Sequence, residues 1–151
     1  MRDTVLRGGV AGAAGTVAQA ALNWLWLLLG WTGDTLTHSL ARTIFVLPPA
    51  QEVFGGQLAV ALFAQLLIGG VYGIVLALIL LASGHDFALV KGWVAGALIG
   101  IFHLAIVPFM ARIPVPQPLT LAVLHLLDHM VWGVVTSAII AALFHRVRRV
   151  A

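Results

Sequence analysis

The chain has 151 residues, 62% of them hydrophobic and only 9% charged, with a mean hydropathy of +1.08. A water-soluble domain carries about 25% charged residues, so composition excludes a soluble globular core and the absence of cysteine excludes disulfides, thiolate metal sites and cysteine nucleophiles. The formal charge of +3 and pI near 10.7 do not indicate nucleic acid, because the basic residues stand at the ends of apolar runs, as membrane topology dictates.

Four apolar runs, at about 5–29, 57–82, 88–111 and 118–144, each approach the ~20 residues needed to cross a bilayer. They predict an all-α, four-span transmembrane bundle forming one domain over residues 1–151.

The first run follows Arg2 and competes with a signal-peptide reading. It is too long for an ordinary hydrophobic region of a leader, and Asn23-Trp24-Leu25-Trp26 is a poor cleavage neighbourhood, so a retained span is expected. Gly8, Gly12, Gly15, Gln19 and Asn23 recur at three- and four-residue spacing, a small-then-polar face that lets another helix approach closely. In the linker at 30–55, Asp34 is expected to cap a short helix with Leu36, Leu40 and Ile44 on one side, lying on the membrane and ended by Pro48-Pro49. His38, Arg42 and Glu52 read as solvated linker residues.

The second run repeats the small-and-polar line with Ala61, Gln65, Gly69 and Gly73, and Tyr72 alongside. A turn at 83–86 leads to the third run, where Gly92, Gly96 and Gly100 form a double small-xxx-small motif continued by His103. Pro108 is expected to kink its outer end. Pro114, Pro116 and Pro118 form an extended connection to the last run, after which come Arg146, Arg148 and Arg149.

Arg2, Arg7, Lys91, Arg146, Arg148 and Arg149 fall on one side of these spans, Arg42 and Arg112 on the other. The positive-inside rule therefore predicts a multi-pass protein with both termini cytoplasmic. Trp24, Trp26 and Trp31 read as an outer interfacial belt, whereas Trp132 lies too deep and should pack on polar neighbours.

Counted at 1.5 Å per residue, Gln19, Asn23, Gln65, His103, His125, Asp128 and His129 share one depth, roughly 10–16 Å below the outer boundary. Such a layer suits an outward-facing site for a proton, ion or small polar solute. The competing reading is a non-catalytic scaffold or accessory subunit, since polar side chains between membrane helices often act only as glue worth about 0.6 kcal/mol each. Ionisable residues inside spans favour a functional role for the histidines and Asp128. Three residues after His125, Asp128 is expected to be ionised and to stabilise one imidazolium, that of His125 or, across the bundle, His103.

Two further readings concern cofactors, neither of them fixed by the sequence. His103, His125 and His129 could ligate a divalent transition metal, since imidazole suits zinc, copper, nickel and iron. Alternatively His103 and a histidine of the last span could clamp haem b between facing helices, with Arg112 the nearest cation for a propionate. There is no nucleophile motif, phosphate loop or paired-carboxylate arrangement, so no catalytic residue is named. Tyr72, Thr136 and Ser137 read as packing residues of the inner half.

Lys91-Gly92-Trp93, Ala95-Gly96-Ala97-Leu98, His103, Pro108-Phe109 and His129-Met130-Val131-Trp132 carry a resemblance. Over residues 91–132 the chain resembles the YagU-like family of uncharacterised bacterial inner-membrane proteins. The resemblance implies a bacterial inner (cytoplasmic) membrane location and multi-span topology, with His103 and His129 as recurrent features. His125 and Asp128 have no counterpart in the family's pattern, so any role for them rests on this chain. The expected partners are the lipid bilayer and a homo-oligomer or larger membrane complex, with no nucleic acid.

Overall fold

The computed structural model describes residues 2–48, 51–106 and 119–148. Five helices account for nearly all of them: α1 (Arg2–Leu28), α2 (Leu36–Phe45), α3 (Gly55–Ser83), α4 (Ala88–Ile101) and α5 (Leu119–Arg148). A π-helical turn, Phe102–Ile106, prolongs α4. Three helical stretches are long and apolar enough to cross a membrane: Gly55–Ser83, Ala88–Ala105 and Leu119–Phe144. α1 has 27 residues, about 40 Å of helix at 1.5 Å per residue, but its glycines and polar side chains lower its hydropathy below theirs. The expected kink at Pro108, the proline connection and Arg112 and Arg149 lie outside the described residues.

α1 packs along both α3 and α5, and α4 packs along α5, giving the spatial order α3–α1–α5–α4. α3 and α4 touch little, although they are consecutive in sequence. Glycine is what allows these seams. A Cβ on Gly12 would meet the Cα of Gly73 at 2.8 Å, and one on Gly96 would meet the Cα of Met130 at 2.9 Å, so the α1–α3 and α4–α5 backbones are in direct contact. The stripes expected from the sequence therefore do bring helices together, on two different seams. Ala11, Leu76, Ala77, Leu80, Ala88, Trp132 and Ile140 fill the core, while large apolar residues such as Phe63, Leu67, Val71 and Leu98 are exposed on the outside. That inversion, with small residues inside and large apolar ones outside, suits a lipid solvent. Thr136 and Ser137 are fully buried, in keeping with packing roles.

The linker departs from expectation in detail. Thr35, one residue beyond Asp34, is the N-cap of α2, its hydroxyl accepting from the His38 backbone N–H at 3.3 Å. Asp34 instead accepts from Arg42 and lies 3.3 Å from His38 Nδ1, so His38 and Arg42 are partnered and half-buried, not freely solvated. The helix buries Thr37 and Ala41, with Leu36 and Leu40 partly covered and Ile44 exposed. It ends at Val46, whose left-handed backbone (φ 53°) lets its N–H and that of Leu47 return to the last turn before the prolines are reached.

Candidate functional site

The polar residues expected in one layer are sorted by the helices into three separate groups. Gln65 of α3 accepts from the Thr37 hydroxyl of α2 at 3.0 Å and so anchors the linker helix. Gln19 is buried in α1.

The second group surrounds Asp128 of α5. Its carboxylate accepts from the side-chain amide of Asn23 and, at 2.8 Å, from the indole N–H of Trp26. Asn23 in turn accepts the backbone N–H of Leu36 at 2.7 Å, one of the N–H groups that the first turn of α2 leaves without a helical partner. Trp26 stacks on Trp31, their ring centres 5.2 Å apart. Among the described residues no ion pair joins Asp128 to a histidine, which corrects the expected pairing with His125 or His103. The reason is azimuth: consecutive helical residues point about 100° apart, so Asp128 faces α1 while its neighbour His129 faces α4.

The third group is the histidine cluster. His125 and His129 stand one turn apart on α5, ring centres 4.4 Å apart. His103 comes from the π-helical turn that ends α4, a local widening that re-aims side chains and is common at functional sites. Its Nδ1 lies 2.8 Å from His129 Nε2. Gly96 and Gly100 make this approach possible, a Cβ on Gly100 falling 3.2 Å from the Cβ of His129. The imidazoles of His103, His125 and His129 offer one nitrogen each, all within 4.8 Å of one another.

Hydrogen-bond direction through the cluster follows by elimination for neutral rings. His129 Nδ1 lies 2.9 Å from the His125 carbonyl, which can only accept, so Nδ1 carries the proton and Nε2 a lone pair. His103 Nδ1–H therefore donates to His129 Nε2, leaving His103 Nε2 to accept from the Tyr72 hydroxyl at 3.3 Å. The chain Tyr72–His103–His129–carbonyl runs one way. His125 stands beside it with a buried Nε2 that has no hydrogen-bond partner among the described residues. An unpartnered buried polar atom costs roughly 1–3 kcal/mol, and the fully buried Thr136 hydroxyl is another such atom in this interior.

Tyr72, Trp26 and Thr37 make contacts that the sequence did not foretell. Tyr72 touches His103 and packs edge-on against Trp132, whose indole N–H donates to the Gly12 carbonyl at 3.0 Å. The periodicity that put Tyr72 beside Gly69 and Gly73 could have placed it on the interior side of α3.

No family model, curated protein or solved structure matches the chain.

Proposed function

We propose that this is an integral membrane protein that binds a transition-metal ion on His103, His125 and His129. It is the transition-metal reading of the sequence, taken in preference to a proton, ion or solute site in the whole polar layer. The observation that carries it is the convergence of three imidazole nitrogens, one from each ring, within 4.8 Å of one another. Metal–imidazole bonds of 2.0–2.1 Å set ligand nitrogens roughly 3.3–3.6 Å apart. Small ring rotations reach that spacing: the 2.8 Å His103–His129 contact opens slightly and the longer separations close.

Two of the ligands already have the partner that a metal-bound histidine uses to hold its ring. His129 is held through Nδ1 by the His125 carbonyl, leaving Nε2 to bind. His103 is held through Nε2 by Tyr72. Were Nδ1 to ligate a metal, the His103 proton would reside on Nε2 and the Tyr72 hydroxyl would accept from it. A haem between His103 and His129 would have to push apart rings that are in hydrogen-bond contact, so the geometry favours a bare ion. The scaffold reading accounts for the saturated Asp128 group but not for three imidazoles converging on one point.

Around this site we place a four-span bundle with α1 as the fourth span, supported by its packing along α3 and α5. Both termini lie on the cytoplasmic side by the distribution of basic residues. A bacterial inner-membrane location rests on the resemblance of residues 91–132 to the YagU-like family.

Elemental analysis of protein purified in detergent and dialysed against the first-row metals tests the function. Wild type should retain one equivalent of metal and the triple variant His103→Leu, His125→Leu, His129→Leu none, with unchanged size-exclusion behaviour. Equal metal in the two would refute the site.

A further inference from the structure

The three ligands are neutral imidazoles, and that bears on the charge of the ion they can hold. We propose that the site takes a monovalent cuprous ion in preference to divalent zinc, nickel or cobalt. This rests on the metal-site reading above and adds to it the charge of the ion.

In the Born description, transfer of an ion out of water costs free energy in proportion to the square of its charge, about fourfold more for a divalent than a monovalent ion of equal size. A divalent ion in an apolar interior therefore needs an anionic ligand or a nearby carboxylate. The structure offers none to this cluster. Among the described residues no Asp or Glu joins the three histidines as a ligand. Asp128, the neighbour of His129, faces α1, where Asn23 and Trp26 occupy its oxygens. The Tyr72 phenol is the other group that could become an anion, but it meets His103 at Nε2 while Nδ1 is the nitrogen turned toward His129. It stands behind the ring, outside the ligand set.

Coordination number points the same way. Three nitrogens suffice for a closed-shell cuprous ion, which accepts trigonal sites, whereas zinc with three protein ligands adds a fourth, usually water. Ligand softness does not enter the choice among the described residues, where Met130, the neighbour of His129, lines an apolar groove with Trp93, Leu127 and Val134.

The test is a pair of competition titrations on the full chain in detergent. Cuprous ion, supplied anaerobically as its acetonitrile complex, competes with bicinchoninate; zinc competes with a chelating dye. One equivalent of cuprous ion should bind, at least 100-fold more tightly than zinc. His125→Glu, which places a carboxylate in the ligand set, should shift that ratio toward zinc by 10-fold or more. If wild type binds zinc as tightly as cuprous ion, and the three histidines are required for it, the charge inference falls and the metal site stands. If neither ion binds at one equivalent, both fall. The wild-type comparison decides the proposal even if the Glu variant does not fold.

Discussion

Asp128 and His129 are consecutive residues of one helix, and they lie in opposite kinds of surroundings. Asp128 is buried between α1 and α5 with both carboxylate oxygens engaged and a connection through Asn23 to the first turn of α2. His129 is buried between α4 and α5 in a group whose third imidazole leaves a nitrogen without a partner. A buried polar network with every member satisfied rigidifies a fold. One with an open atom, built of metal-binding side chains, is organised for something that arrives later. What sets the histidine group apart is the convergence of three metal-binding side chains on one point, not polarity as such.

The comparison can be broken most severely at His129. His129→Leu should lower metal affinity by more than the 10–100-fold that loss of a supporting partner costs, measured by equilibrium dialysis. A smaller loss would mean that His129 is not a ligand. Gly96→Val should come next, because a side chain there would drive into the Met130 backbone and push α4 away from α5. Overpacking costs typically 1–3 kcal/mol, so a lower thermal midpoint in detergent should accompany loss of His103 from the site. Normal binding in that variant would detach the cluster from the glycine seam. Tyr72→Phe removes only the group behind His103 and should weaken binding by about 10-fold, the low end for such partners. The midpoint of a competition titration reads it, and no change would make the tyrosine a packing residue after all.

The smallest effect on binding is predicted for Asp128→Asn. Asp128 shares no hydrogen-bond partner with the histidines and faces α1, not α4, so affinity should stay within about twofold of wild type. Stability should nevertheless fall, by about 1–3 kcal/mol, because Asn23 and Trp26 donate to different carboxylate oxygens and an amide replaces one of those acceptors with an NH2 donor, leaving a donor unpaired. A large loss of metal binding would show that the two groups are one site.

Helical type was legible because a 20-residue apolar run permits little else in lipid, and three of the four expected spans are helices long and apolar enough to cross a membrane. Helix contact faces were legible in Gly8, Gly12, Gly92 and Gly96, whose spacing repeats on one side of a helix. Of the site, the His125–His129 pair follows from four-residue spacing and His103 from depth. Depth alone carries no azimuth, so Asp128 was grouped with histidines from which its helix turns it away. Nor does it account for side-chain reach: Tyr72 and Trp26 deliver their polar atoms well away from their own Cα atoms. The π-helical turn at His103 has no sequence signature that periodicity could reveal, since it depends on how α4 meets its neighbours.

The central claim is that three particular imidazoles share one ion. Nitrogen NMR of histidine-labelled protein, recorded with and without one equivalent of the ion that binds, tests it most directly. Of the six histidines, His103, His125 and His129 should shift by the amounts typical of metal ligation, while His38, His85 and His145 keep their metal-free resonances. Ligation shifts at any of the latter three, or at fewer than all of the former, would contradict it.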